Sequence, residues 1–181
     1  TRCIIELNER GSDLKHKSNN MRELSLVIPV FNESAIIVRA MNTIMSQLHS
    51  IAGLDYFEVI IVDDGSSDAT WERLINDVCT THPNIHAIKL SRTFGKESAL
   101  CAGLEQCDAK ATIIMDVDLQ HPPALIEDML RIWRQGEVDI VEAVKRDRGD
   151  EPALAKRSAN GFYSLFEWRG GCSVNNASRL N

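Results

Sequence analysis

Long apolar runs are missing from this sequence, and none approaches the roughly 18 residues that a membrane-spanning helix needs. The start, Thr1-Arg2-Cys3-Ile4-Ile5, lacks both the apolar stretch of a signal peptide and an initiator Met, so the ends read as trimmed or processed. No C-x-x-C pair occurs among Cys3, Cys79, Cys101, Cys107 and Cys172. Their odd number argues for thiols in a reducing compartment rather than a disulfide framework. His82, His86 and His121 lack metal-ligand spacing, and His16 and His49 have no evident partner. Residue order supports neither a Ser-His-Asp nor a Cys-His set. The Gly-rich run of a Walker loop is absent before Lys96. Basic charge is also scarce. With 20 Lys and Arg against 26 Asp and Glu, the formal net charge of -6 argues against nonspecific nucleic-acid binding.

What remains is an ordinary globular composition, 44% hydrophobic and 25% charged, over 181 residues, enough for one α/β domain. Residues 1–23 read as a polar arm. Order begins at Leu24-Ser25-Leu26-Val27-Ile28-Pro29-Val30, a short apolar run that suits a strand buried on both faces and ended by Pro29. Ile36, Ile37, Ala40, Met41, Ile44, Met45 and Leu48 then recur at helical spacing. The alternation repeats with strands at 57–62, 84–90, 111–115 and 138–144. The intervening helices carry Trp71, Leu74, Ile75 and Val78, then residues 96–106, then Leu125, Ile126, Met129, Leu130 and Trp133. Cys79 falls on an apolar helical face, and residues 153–168 read as a further helix. Such alternation predicts βαβ crossovers and a three-layer α/β/α domain with a mostly parallel central sheet, spanning 24–168 and followed by a tail, 169–181.

Each distinctive polar cluster follows a strand, where open α/β sheets bind ligands. Asn32 and Glu33 after Pro29 either face a ligand or cap a strand-to-helix turn. Asp63 and Asp64 either accept bonds from a base N–H and ribose hydroxyls or form an Asp-Gly turn, while Asp68 reads as a helix N-cap. In Asp116-Val117-Asp118-Leu119-Gln120, an extended backbone points both carboxylates to one side. With the Gln120 carbonyl they form an oxygen set suited to Mg²⁺ or Mn²⁺; the alternative is a surface turn. Arg92 and Lys96 flank Gly95 and can meet phosphate or a sugar hydroxyl, or Lys96 is a helix-start lysine pairing with nearby acids. Lys145, Arg146 and Arg148, joined by Lys156 and Arg157, form either a grip for phosphate and anionic lipid headgroups or a solvated loop of mixed charge.

In order, Ser25 to Glu33, Val62-Asp63-Asp64-Gly65-Ser66-Ser67-Asp68-Ala69-Thr70, Arg92-x-Phe94-Gly95-Lys96 and Asp116-Val117-Asp118-Leu119-Gln120-His121-Pro122-Pro123 resemble inverting GT-A-fold glycosyltransferases of family 2. The likeness is closest to the polyprenyl-phosphate group, which includes dolichyl-phosphate mannose synthase and bactoprenol glucosyltransferases. It covers residues 24–168.

The resemblance implies that Pro29, Asn32, Glu33, Asp63 and Asp64 line the nucleotide site. It implies Asp116, Asp118 and Gln120 around Mg²⁺ or Mn²⁺ and the donor diphosphate, with Arg146 on phosphate. Asp118, Lys96 and Arg92 are assigned to the reacting centre. It further implies a nucleotide-sugar donor, UDP favoured over GDP, and a polyprenyl-phosphate acceptor whose oxygen displaces the nucleotide with inversion. Nucleic acid is not an expected partner. The implied place is the cytoplasmic face of the cell membrane, reached through segments beyond Asn181, with this domain itself soluble. Relatives continue with an Asn-Ala-x-Asp-Phe-Arg-Leu-like segment, whereas Asn176-Ala177-Ser178-Arg179-Leu180-Asn181 lacks its Asp-Phe, so the acceptor side reads as incomplete. Rival readings are a saccharide or polysaccharide acceptor, nucleotidyl transfer, and a nucleotide-binding domain without catalysis.

Overall fold

The computed structural model describes residues 2–7, 22–118, 124–138, 140–144 and 177–180. In chain order these form β1 (Arg2–Leu7), β2 (Arg22–Val30), α1 (Ile37–Ser50), β3 (Phe57–Asp63), α2 (Thr70–Arg73) and β4 (Ile85–Lys89). They continue as α3 (Lys96–Leu104), β5 (Ala109–Ile114), α4 (Leu125–Arg134), β6 (Ile140–Val144) and β7 (Ala177–Leu180). One seven-stranded sheet runs β4-β3-β2-β5-β1-β6-β7. Pairings β2/β3, β2/β5, β3/β4 and β6/β7 are parallel.

The apolar runs become the middle of this sheet because both faces are covered. On one face Leu24, Leu26, Ile28, Val59 and Ile61 pack with Ile37, Met41, Ile44 and Leu48 of α1 and Ile126, Met129 and Leu130 of α4. On the other, Val27, Ile60 and Val62 meet Ala99 and Leu100 of α3. Gly103 lets α3 lie close: a Cβ there would stand 2.5 Å from Val27 Cγ1 and 3.1 Å from Val62 Cγ2. At the far end from the strand C-termini, buried Glu58 accepts from Ser25 Oγ at 2.6 Å and pairs with Arg22 Nε at 3.4 Å. That carboxylate joins the N-terminal ends of β2 and β3.

Several expectations change. Residues 2–7 belong to the sheet rather than to a polar arm, because β1 inserts antiparallel between β5 and β6. The strand does not end at Pro29 but runs to Val30. Pro29 is tolerated there because pairing with β5 stops at Val27, whose carbonyl accepts from Met115, so the missing N–H lies past the end of that ladder. The helix after Asp68 widens into a π-helical turn, Leu74–Cys79, which buries Leu74 and Val78 but leaves Ile75 37% exposed. Cys79 does pack against the core. The helix read at 153–168 lies outside the described residues.

Candidate active site

Four loops leave the C-terminal ends of β2, β3, β4 and β5 and are tied to one another. Continuation of the strand pairing starts this: Asp64 N donates to Val30 O at 2.9 Å, and Leu90 N to Asp63 O at 2.9 Å.

The β2 loop is locked onto the β3 loop by side chains. Asn32 adopts φ 54°, a left-handed conformation that Asn tolerates better than most residues. Its N–H donates to Ser66 Oγ at 2.9 Å, and its Oδ1 accepts from Ser67 N at 2.9 Å. Glu33 N donates to Thr70 Oγ1 at 2.8 Å, and Ser34 N to Asp68 Oδ2 at 3.2 Å. Asn32 thus works across loops instead of capping α1, whose N-cap is Ile36 without a side-chain bond. Asp68 also differs from a simple N-cap. That position is Ala69, while Asp68 Oδ1 accepts from Thr70 N at 2.9 Å and from its hydroxyl. The Thr70 hydroxyl, followed by Ser34, holds the Asp68 carboxyl down to about 2.

The β3 loop is joined to the β4 loop just as closely. Buried Asp64 accepts from Phe94 N at 2.8 Å through one oxygen and from Gly95 N at 2.9 Å through the other. The carboxylate therefore sits at the start of α3, where the helix dipole favours negative charge. Anything Asp64 offers a nucleotide must come from its remaining lone pairs. Asp63 is also buried: Oδ1 accepts from Ser66 N at 3.0 Å, and Oδ2 is the one buried side-chain oxygen among the described residues without a hydrogen-bond partner. Arg92 stacks on Phe94, 4.8 Å from the ring centre, with both side chains exposed.

The β5 loop supplies the acids. The backbone does not stay extended through them but turns at Val117–Asp118. Val117 is buried, Asp116 half-buried and Asp118 exposed. Lys96 Nζ lies 2.5 Å from Asp116 Oδ1, so this helix-start lysine does pair with a nearby acid. Burial raises the pKa of Glu33, and the negative charges of Asp118, Asp68 and Asp116 add to the shift. The β2, β3 and β5 loops therefore share one anionic field.

A raised carboxyl pKa means that ionised Glu33 costs stability above the folded value, a cost absent below the ordinary 4.5. Glu33→Gln should therefore unfold at higher urea than the parent at pH 7. Its advantage should vanish as pH falls below 4.5, as denaturation series at several pH values will read.

Asp116 and Asp118 suit a hard divalent cation, which Mg²⁺-type sites hold with one or two carboxylates plus substrate phosphates. Among the described residues no three His, Cys, Asp or Glu side chains form a ready-made cage. The ammonium on Asp116 marks a place where positive charge is already favoured. The donor set fits such an ion when phosphate completes it. Gln120, His121 and Arg146, with the rest of the basic stretch, lie outside the described residues. Local sequence assigns no role to the side chains of Ser66 and Thr70, which position the β2 loop. Their hydroxyls after Asp-Asp-Gly are the signal, since Ser and Thr bind loop backbone.

The family model for glycosyl transferase family 2 matches residues 25–178. This chain belongs to that family. As a family 2 member it is 38% identical over 144 residues to an uncharacterized glycosyltransferase of Synechocystis, covering 80% of this chain and 44% of the relative. It is 36% identical over 143 residues to the bactoprenol glucosyl transferase of Shigella phage SfV, covering 79% and 45%. The chain thus spans less than half the length of these curated relatives. A Pyrobaculum calidifontis mannosyltransferase solved with GDP-Man and Mn²⁺ superposes with TM-score 0.57 at 21% identity, over 87% of this chain and 44% of that one. Staphylococcus aureus TarS 1-349 in complex with UDP gives 0.54 at 20%, over 73% and 39%. The fold of this family 2 domain is accordingly GT-A, a parallel central sheet between helices.

Proposed function

We propose that this domain transfers a hexose from a nucleotide-diphospho-sugar, a UDP-sugar before GDP-mannose, to a polyprenyl phosphate with inversion at the anomeric carbon. The observation that carries this reading is the convergence of Glu33, Asp116 and Asp118 beside Lys96 at the strand C-termini, on the loops that carry the family motifs. Likeness to bactoprenol glucosyl transferases supports the lipid-phosphate acceptor.

In this reading Asn32 and Asp64 with Pro29 shape the nucleotide pocket, and Asp63, fully buried beneath them, supports it by holding the β3 loop through Ser66 N. Asp116 and Asp118 would hold Mg²⁺ or Mn²⁺, which supplies Lewis-acid charge neutralisation at the diphosphate when bound. Arg92 and Lys96 bring positive charge to the phosphates on the acceptor side, with Arg146 proposed for the same task. An acceptor phosphate oxygen attacks the anomeric carbon opposite the diphosphate; the new C–O bond forms as the bond to the nucleotide breaks, and the nucleoside diphosphate departs. Because a phosphate is already ionised near neutral pH, no strong general base is required, and alignment and charge placement carry the rate. Among the described residues no helix is long and apolar enough to cross a membrane. We place the reaction at the cytoplasmic membrane face on the strength of the lipid acceptor.

Calorimetric titration with UDP and GDP, each with and without Mn²⁺, tests the donor half. UDP binding strengthened at least tenfold by Mn²⁺ is expected. Folded protein that binds neither nucleotide would overturn the reading.

A further inference from the structure

Lys96 is the first residue of α3, held there by the left-handed Gly95 (φ 98°) and by the grip of Asp64 on the Phe94 and Gly95 N–H groups. That frame sets its ammonium against Asp116 on the β5 loop. The Asp116 side chain keeps only 18% of its surface, while that of Lys96 keeps 52%. The acid is therefore set into the wall of the site and the ammonium covers it from the solvent side. Around the pair lie Glu33, Asp68 and Asp118, whose charges already disfavour further anions. An acidic set of this kind needs a counter-charge whenever no divalent ion is present.

We propose that Lys96 is this resident counter-ion, and that its ammonium and a divalent cation occupy Asp116 in mutual exclusion. The proposal rests on the metal-assisted reading above and extends it. Loading of the ion breaks the Lys96–Asp116 pair and leaves the ammonium on a flexible four-carbon stem at the mouth of the site. There it can follow an incoming phosphate oxygen. Positive charge thus passes from the protein's own wall to the phosphates only when the site is loaded, and the empty site does not carry unopposed carboxylates. No covalent bond changes in this exchange.

Titration of the full chain with Mn²⁺ alone, followed by calorimetry and by paramagnetic resonance of the free ion, tests the exclusion without any catalytic readout. Lys96→Met keeps much of the aliphatic stem, and circular dichroism checks that each variant is folded. Removing a half-exposed ion-pair partner should tighten Mn²⁺ binding about three- to tenfold. Asp116→Asn should abolish that binding in either background. Because a lost positive charge tightens binding at a distance too, Arg92→Met, which removes a cation stacked on Phe94 rather than paired with Asp116, provides the control. It should keep affinity within about twofold of the parent, and tightening equal to that of Lys96→Met would overturn the exclusion. Equal or weaker Mn²⁺ binding by the Lys96→Met variant would overturn the exclusion while leaving the metal-assisted reading intact. Absence of Mn²⁺ binding by both folded proteins at millimolar concentration, with UDP also present to supply the phosphate oxygens, would overturn both.

Discussion

Asp118→Asn should lower glycosyl transfer at least about a hundredfold while leaving the unfolding midpoint within experimental error. The asymmetry follows from where the residue sits. Asp118 is exposed at a turn beyond the end of β5, whereas its neighbour Val117 is buried, so the packing that holds the loop lies in Val117. An exposed isosteric change of this kind usually alters stability by less than about 0.5 kcal/mol. Its charge, in contrast, reaches the heart of the site, since Asp118 is the foremost neighbouring charge that acts on Glu33. Removal of a group that stabilises charge developing in the transition state typically costs about a hundred- to a thousandfold in turnover. The measurement is sugar transfer to a short polyprenyl phosphate, paired with urea denaturation of the same preparation. A folded Asp118→Asn protein with parental turnover would remove Asp118 from the reacting centre.

The second large effect is structural and comes from a residue with no side chain. Gly65→Ala should destabilise the domain by about 3 kcal/mol, the sum of a left-handed backbone penalty and a steric clash. At φ 70° an L-residue is strained whatever the space around it. Here there is no space: the new Cβ would lie 2.5 Å from Arg92 C and 2.7 Å from Thr93 N. Those atoms are backbone, so no rotamer change relieves the contact and the β3 and β4 loops must part. Separation would also break the bonds from Phe94 and Gly95 to Asp64, and with them the frame that aims Lys96. Urea denaturation should therefore show a lower midpoint, and nucleotide titration a weakened site, in the same variant. A loss below about 1 kcal/mol would mean that the loops are not packed as tightly as this geometry requires.

Most of the sheet was legible because burial on both faces writes itself as an apolar run. Leu24 to Val30 and Phe57 to Val62 could hardly be anything else. The motif loops were legible for a similar reason, since acids placed directly after such runs are costly without partners. What was not legible is long-range. Nothing in Arg2 to Leu7 announces that it pairs with β5 on one side and β6 on the other, because register is a property of the partners. Local sequence suggests that Asn32 and Asp64 are special, but not that they are spent largely on neighbouring loops. Ile75 follows helical spacing faithfully, yet the π-turn rotates it outward. A lysine at a helix start can be expected to pair with a nearby acid; that the acid is Asp116 comes only from the fold.

The position of β1 bears on how the domain reaches this state. Strands β2 to β5 lie within one stretch of chain and can assemble by successive crossovers. The junction from β5 to β6, however, runs only through β1, so Ile4 must find Ile114 and Glu142 across more than a hundred residues. Such a contact raises loop-closure entropy and slows folding. Until it forms, β5 presents a bare apolar edge bearing Ile113 and Ile114, the kind of surface that recruits another chain. Yield on refolding should therefore fall with protein concentration more steeply than the stability of the finished domain suggests.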